Sequence, residues 1–84
     1  MMPHFEFTVL IFALRYAANR LSYAPGLVRD YAVSQIPRMS SEQRESLVRE
    51  IEKLIRYQEY ADDIAYAELM KLKQALQREV EEND

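Results

Sequence analysis

Gly26 is the single glycine among 84 residues, and prolines stand only at positions 3, 25 and 37. A β-sandwich or barrel needs turn residues roughly every 8–12 positions, and this chain lacks them. Ala, Leu, Glu, Arg and Gln, which favour helix, are frequent instead. The expected fold is therefore all-α: one compact domain over residues 1–84, built as a bundle of about four short helices.

Punctuation and periodicity place the helices at about 8–22, 25–36, 41–59 and 63–81. In the first, Leu10, Leu14, Ala17 and Leu21 recur at helical spacing and should face the core. Val9, Ile11, Phe12 and Ala13 make its upper half apolar nearly all round, the mark of a helix covered on several sides. Ala24-Pro25-Gly26 breaks it, because proline disfavours helix before itself but suits the start of a new one. The second helix has Leu27, Val28, Tyr31, Ala32 and Ile36 as its expected inner face, and Pro37 ends it.

Ser40 with Gln43 three residues on is a capping box for the third helix. Its apolar stripe is Leu47, Val48, Ile51, Leu54 and Ile55. Glu45 with Arg49, and Glu52 with Arg56, are spaced for i, i+4 ion pairs. No glycine or proline separates this helix from the fourth. One long helix is the alternative to a hairpin, but it would leave its stripe bare in a monomer. Asp62 or Asp63 is expected to cap the fourth helix, with Ala65, Leu69, Leu72, Leu76 and Val80 inward. Residues 81–84 should fray.

A chain this short buries only about 60% of its unfolded surface, so added stabilisation is expected. The absence of cysteine removes disulfides and thiolate metal sites, and one histidine cannot build a zinc site. A homo-oligomer is left as the expected aid. Phe7–Leu14 is apolar apart from Thr8, but a membrane span needs about 20 such residues, and no positive charge precedes the run as in a signal peptide. It reads as a buried helix of a cytoplasmic protein, with no membrane partner.

Catalytic equipment is missing from the pattern. His4 falls in a loose N-terminus on this reading, with no local acidic partner, and no phosphate loop or dinucleotide fingerprint occurs. The expectation is a non-enzymatic protein with no cofactor and no metal. Charge is uneven. Residues 1–40 hold four Arg against Glu6 and Asp30, a net +2, while residues 41–84 hold seven basic and twelve acidic residues, a net −5. Helices two and three resemble a helix-turn-helix carrying Arg44, Arg49, Lys53 and Arg56. Five glutamates lie among these bases, so a nucleic-acid partner is not expected.

The candidate site is the Arg15–Tyr23 segment. On a continuous helix Tyr16, Arg20 and Tyr23 share one face, with Arg15, Asn19 and Ser22 on the neighbouring strip. Guanidinium forks bind phosphate and tyrosine rings stack on bases, so Arg15, Tyr16, Arg20 and Tyr23 together suit a small nucleotide ligand. The competing reading packs both tyrosines against helix three and pairs Arg20 with an acidic side chain.

Ala13-Leu14-Arg15-Tyr16-Ala17 through Arg20-Leu21-Ser22-Tyr23, with Asp30-Tyr31 and Val48-Arg49-Glu50-Ile51-Glu52, resembles a group of small uncharacterised bacteriophage proteins. In that group an ALRYALGR-(S/T)Y stretch precedes a DY or DW helix and then an I-R-D-I-E helix. The resemblance covers about residues 13–52. Asn19 departs from the usual glycine and Glu50 from an aspartate. Membership implies a phage or prophage accessory protein in the bacterial cytoplasm. Such a protein blunts host defence by sequestering a nucleotide signal or, alternatively, by inhibiting a host protein through a helical face.

Overall fold

A computed structural model of the chain describes residues 1–20 and 23–82. Four α-helices follow one another: α1 (His4–Ala18), α2 (Ala24–Gln35), α3 (Ser41–Arg56) and α4 (Asp63–Glu82), with a 3₁₀ turn (Ile36–Arg38) closing α2. α4 packs against α2 and α3, and α1 packs against the same two helices. The radius of gyration, 11.9 Å, is that of a closed bundle, since a compact chain of this length has about 12 Å.

The core joins Met2, Phe7, Leu10 and Leu14 to Ala32, Ile36, Met39, Leu47, Ile51, Leu54, Leu69, Leu72 and Leu76. The stripes expected on α3 and α4 are inward, with Val48 and Ile55 partly buried beside them. The expected inner positions Leu21 and Val80 lie outside the residues whose side chains are described. Of residues 81–84, expected to fray, Glu81 and Glu82 continue α4 instead, and 83 and 84 lie outside the described residues.

α3 begins as the capping box requires. Gln43 N–H donates to Ser40 Oγ at 3.1 Å, and Ser40 N–H donates to Gln43 Oε1 at 3.0 Å. The same amide also clamps the N-terminus: Met2 N–H donates to Gln43 Oε1 and Gln43 Nε2 donates to the Met2 carbonyl at 2.8 Å. Met2 is thereby a core residue, and His4 opens α1 instead of lying in a loose end. Helix one thus starts four residues earlier than the expected Thr8.

The α3–α4 connection is a hairpin, not a continuous helix. Gln58 takes a left-handed φ of 54°. Its N–H donates to the Ile55 carbonyl, and Glu59 N–H donates to the Leu54 carbonyl at 2.8 Å. That pair of bonds is a Schellman ending, which satisfies carbonyls that the helix leaves open. It also ends α3 at Arg56, three residues before the expected 59. Asp62 then caps α4, accepting from Ala65 N–H at 2.9 Å.

Three expectations about side chains are corrected. Leu27 and Tyr31 are exposed, because the side of α2 that packs on α1 and α4 carries Pro25 and Ala32, with Val28 partly buried and Ile36 beyond the helix. Glu45–Arg49 and Glu52–Arg56 do not close. Glu52 pairs across to Lys73 of α4 at 3.6 Å, a partner that local spacing does not reveal. Arg44 is buried, with Nη1 donating to the Met39 carbonyl at 2.9 Å and Nη2 to Ser41 Oγ, so it cannot face a phosphate backbone.

Candidate functional site

α1 carries apolar residues on two opposite sides. Phe7, Leu10, Leu14, Ala17 and Ala18 are buried in the bundle. Phe5, Val9, Phe12 and Tyr16 are exposed. At 3.6 residues per turn these four fall within a strip about 60° wide, on the side turned away from the core. Their spacing, 4-3-4, is that of alternate positions along a coiled-coil seam. No charged residue lies between Phe5 and Tyr16 on the strip, and at its end the Arg20 guanidinium sits against the Tyr16 ring. Beside it, Phe5, Val9 and Ala13 of α1 meet Leu27, Val28 and Tyr31 of α2 around an open, mostly apolar cleft of about 300 Å³. Glu6 at the cleft edge is held by Arg38, whose Nη2 donates to it at 2.9 Å.

The four residues expected to form one ligand site are not gathered into one. α1 stops at Ala18, where Asn19 caps it with backbone bonds to Ala17 and Tyr16 carbonyls. The Ala18 carbonyl turns to accept from Ala61 N–H of the α3–α4 loop at 2.7 Å. Tyr23 lies beyond that break, as the residue before α2, so it shares no helical face with Tyr16. It is 86% exposed and borders a depression with Leu27, Ile64, Asp30, Asp62 and Glu68, whose carboxylates repel phosphate. Ser22, expected on the neighbouring strip, lies outside the described residues.

Arg15 is engaged elsewhere. Its Nε and Nη2 donate to one Glu50 oxygen at 3.2 and 2.7 Å, tying α1 to α3. Tyr16 and Arg20 do come together: the guanidinium lies 4.1 Å from the ring centroid, a cation–π contact. Among the described residues the carboxylate contact in this region, Glu50, is made by Arg15, and none is seen for Arg20, where the competing reading expected an acidic partner. Neither Tyr16 nor Tyr23 is packed into the core as that reading required.

Electrostatics support the scaffold around this face. Arg29 of α2 donates through Nε to Glu68 of α4 at 2.6 Å, and Lys71 reaches the other Glu68 oxygen at 3.2 Å. Burial pushes the Glu68 carboxyl up, but hydrogen bonds from Arg29 and Lys71, with their charges, outweigh it and hold the group below its ordinary value. Among the described residues no cluster of His, Asp and Glu is placed to hold a metal ion, and no helix is long and apolar enough to cross a membrane.

Sequence reasoning identified Tyr16 and the excess apolar surface of α1, but it missed Phe5 and the outward side of α2. The 4-3-4 spacing was the available signal for Phe5. A helix that starts at Thr8 leaves Phe5 outside it, which hides that spacing. No family model, no curated protein and no solved structure matches the chain.

Proposed function

We propose that this protein acts by association: it is a non-enzymatic helical module that binds another protein through the outer strip of α1 and the adjoining cleft. The observation that carries the reading is the strip itself, four apolar residues in seam spacing on the solvent side of α1, three of them aromatic. Interface centres are poor in charge and enriched in aromatic residues, and those residues dominate binding energy. The resemblance of residues 13–52 to small bacteriophage proteins supports a setting in the bacterial cytoplasm, with a host defence or regulatory protein as the target.

The test is capture from bacterial lysate on immobilised protein. Wild type and a variant on the far side of the bundle, Lys73→Gln, should retain the same target. Phe12→Asp should lose it while keeping wild-type helical circular dichroism. Equal retention by Phe12→Asp would overturn the reading.

One observation favours a second reading, the sequestering of a small nucleotide. Arg20 lies over Tyr16 on the surface, and among the described residues no carboxylate pairs with it. A phosphate on Arg20 with a base on the free face of the Tyr16 ring is the chemistry implied. In that case Arg20→Ala abolishes nucleotide-induced thermal stabilisation without lowering the melting temperature of the free protein.

A further inference from the structure

We infer that in the free protein the outer strip of α1 is covered by a second copy of the same chain, the two α1 helices lying antiparallel. The inference rests on reading this face as protein-binding and names its resting occupant. Three observations carry it.

The first is self-complementarity. A two-fold interface requires that whatever residue i meets on the partner, its counterpart also meets on the first chain. Set antiparallel, the strip pairs Phe5 with Tyr16 of the second copy and Val9 with Phe12 of the second copy. Each pair therefore occurs twice. The smaller Val9 faces the larger Phe12 each time, so a ridge finds a hollow at the two central pairs, while Phe5 with Tyr16 at either end is a ring-on-ring contact.

The second is the cleft. It lies beside Val9, the position that this register sets opposite Phe12 of the second copy. Phe12 is exposed and does not line its own cleft, so its ring is free to enter the partner's between Val9, Leu27 and Tyr31. A ring seated in a facing pocket on both sides is the usual form of an interface anchor.

The third is area. Phe5, Phe12, Tyr16 and Tyr31 are 78, 60, 63 and 52% exposed, with Leu27 at 66% and Val9 at 49%. At roughly 200 Å² per fully exposed ring, these residues offer about 700 Å² of apolar surface per chain. A standard stable interface takes about 800 Å² from each partner. The strip and cleft nearly meet that requirement before any rim residue is counted.

The chain has no cysteine, which makes the register directly readable. Sedimentation from micromolar to millimolar concentration should show wild type approaching twice the chain mass of 10.0 kDa. Phe12→Asp should remain at the chain mass with unchanged helical content, since Phe12 is exposed and is not part of the buried core cluster. Phe5→Cys and Tyr16→Cys proteins, mixed and oxidised, should join to one another several-fold more than either joins to itself. A monomeric wild type at millimolar concentration would overturn the second copy as occupant, whereas the face reading fails only if Phe12→Asp still captures the target. A dimer that persists in Phe12→Asp, or Phe5→Cys joining chiefly to itself, would also overturn the inference.

Discussion

Gln58 holds a backbone conformation that an L side chain adopts at a cost of roughly 1–2 kcal/mol, yet it does so where the Schellman ending needs a left-handed residue. Gln58→Gly should therefore raise stability by about 0.5–1 kcal/mol, the relief being partly offset by the greater freedom of glycine in the unfolded chain. A denaturation midpoint that stays put or falls would show that the turn is not held this way in solution. Ser40 and Gln43 give a paired contrast. Ser40→Ala removes one cap bond and should cost about 1 kcal/mol. Gln43→Ala removes three side-chain hydrogen bonds, one from Ser40 N–H and two with Met2, and should cost about 3 kcal/mol, as net contributions near 1 kcal/mol per hydrogen bond imply. Equal losses would mean that the Met2 clamp contributes nothing. The capping box was legible because both partners lie three residues apart. The clamp on Met2 was not, because it joins positions separated by 41 residues.

Among the elements, α2 and α4 are linked by a charge arrangement whose pH response has a definite sign. The folded-state pKa of Glu68 lies below its ordinary value of 4.5, so its contribution is fully present above that value. It is lost as pH falls through the folded-state value. Melting temperatures recorded from neutral to acidic pH should show wild type losing an acid-side increment that Glu68→Gln lacks. Parallel curves for the two proteins would contradict the assignment. Helix identity was legible for all four elements, since the stripes on α3 and α4 are governed by one buried side each. Their ends were less so. The 3.6-residue pattern continues through Asn19, whereas α1 stops at Ala18, where the α3–α4 loop supplies the bond to its last carbonyl. Because α1 stops there, Tyr23 before α2 shares no helical face with Tyr16, and the expected nucleotide site is divided. The outward turn of Leu27 and Tyr31 was hidden for a related reason. Periodicity shows that a helix has an apolar side without showing which neighbours will cover it.

At the scale of the molecule, the apolar excess of α1 was visible in the sequence, and the fold converts it into two opposite surfaces. One builds the core and the other faces solvent, beside a cleft that α2 completes. The account holds that this outer surface is a protein-binding face. The most direct measurement follows the Phe12 ring itself. A fluorinated phenylalanine at position 12, observed by NMR with a soluble paramagnetic quencher, reports whether that ring is open to solvent. Quenching should be strong in dilute pure protein and should fall away at high protein concentration or on addition of the target captured from lysate. A ring that stays equally open to the quencher under all of these conditions would contradict the account.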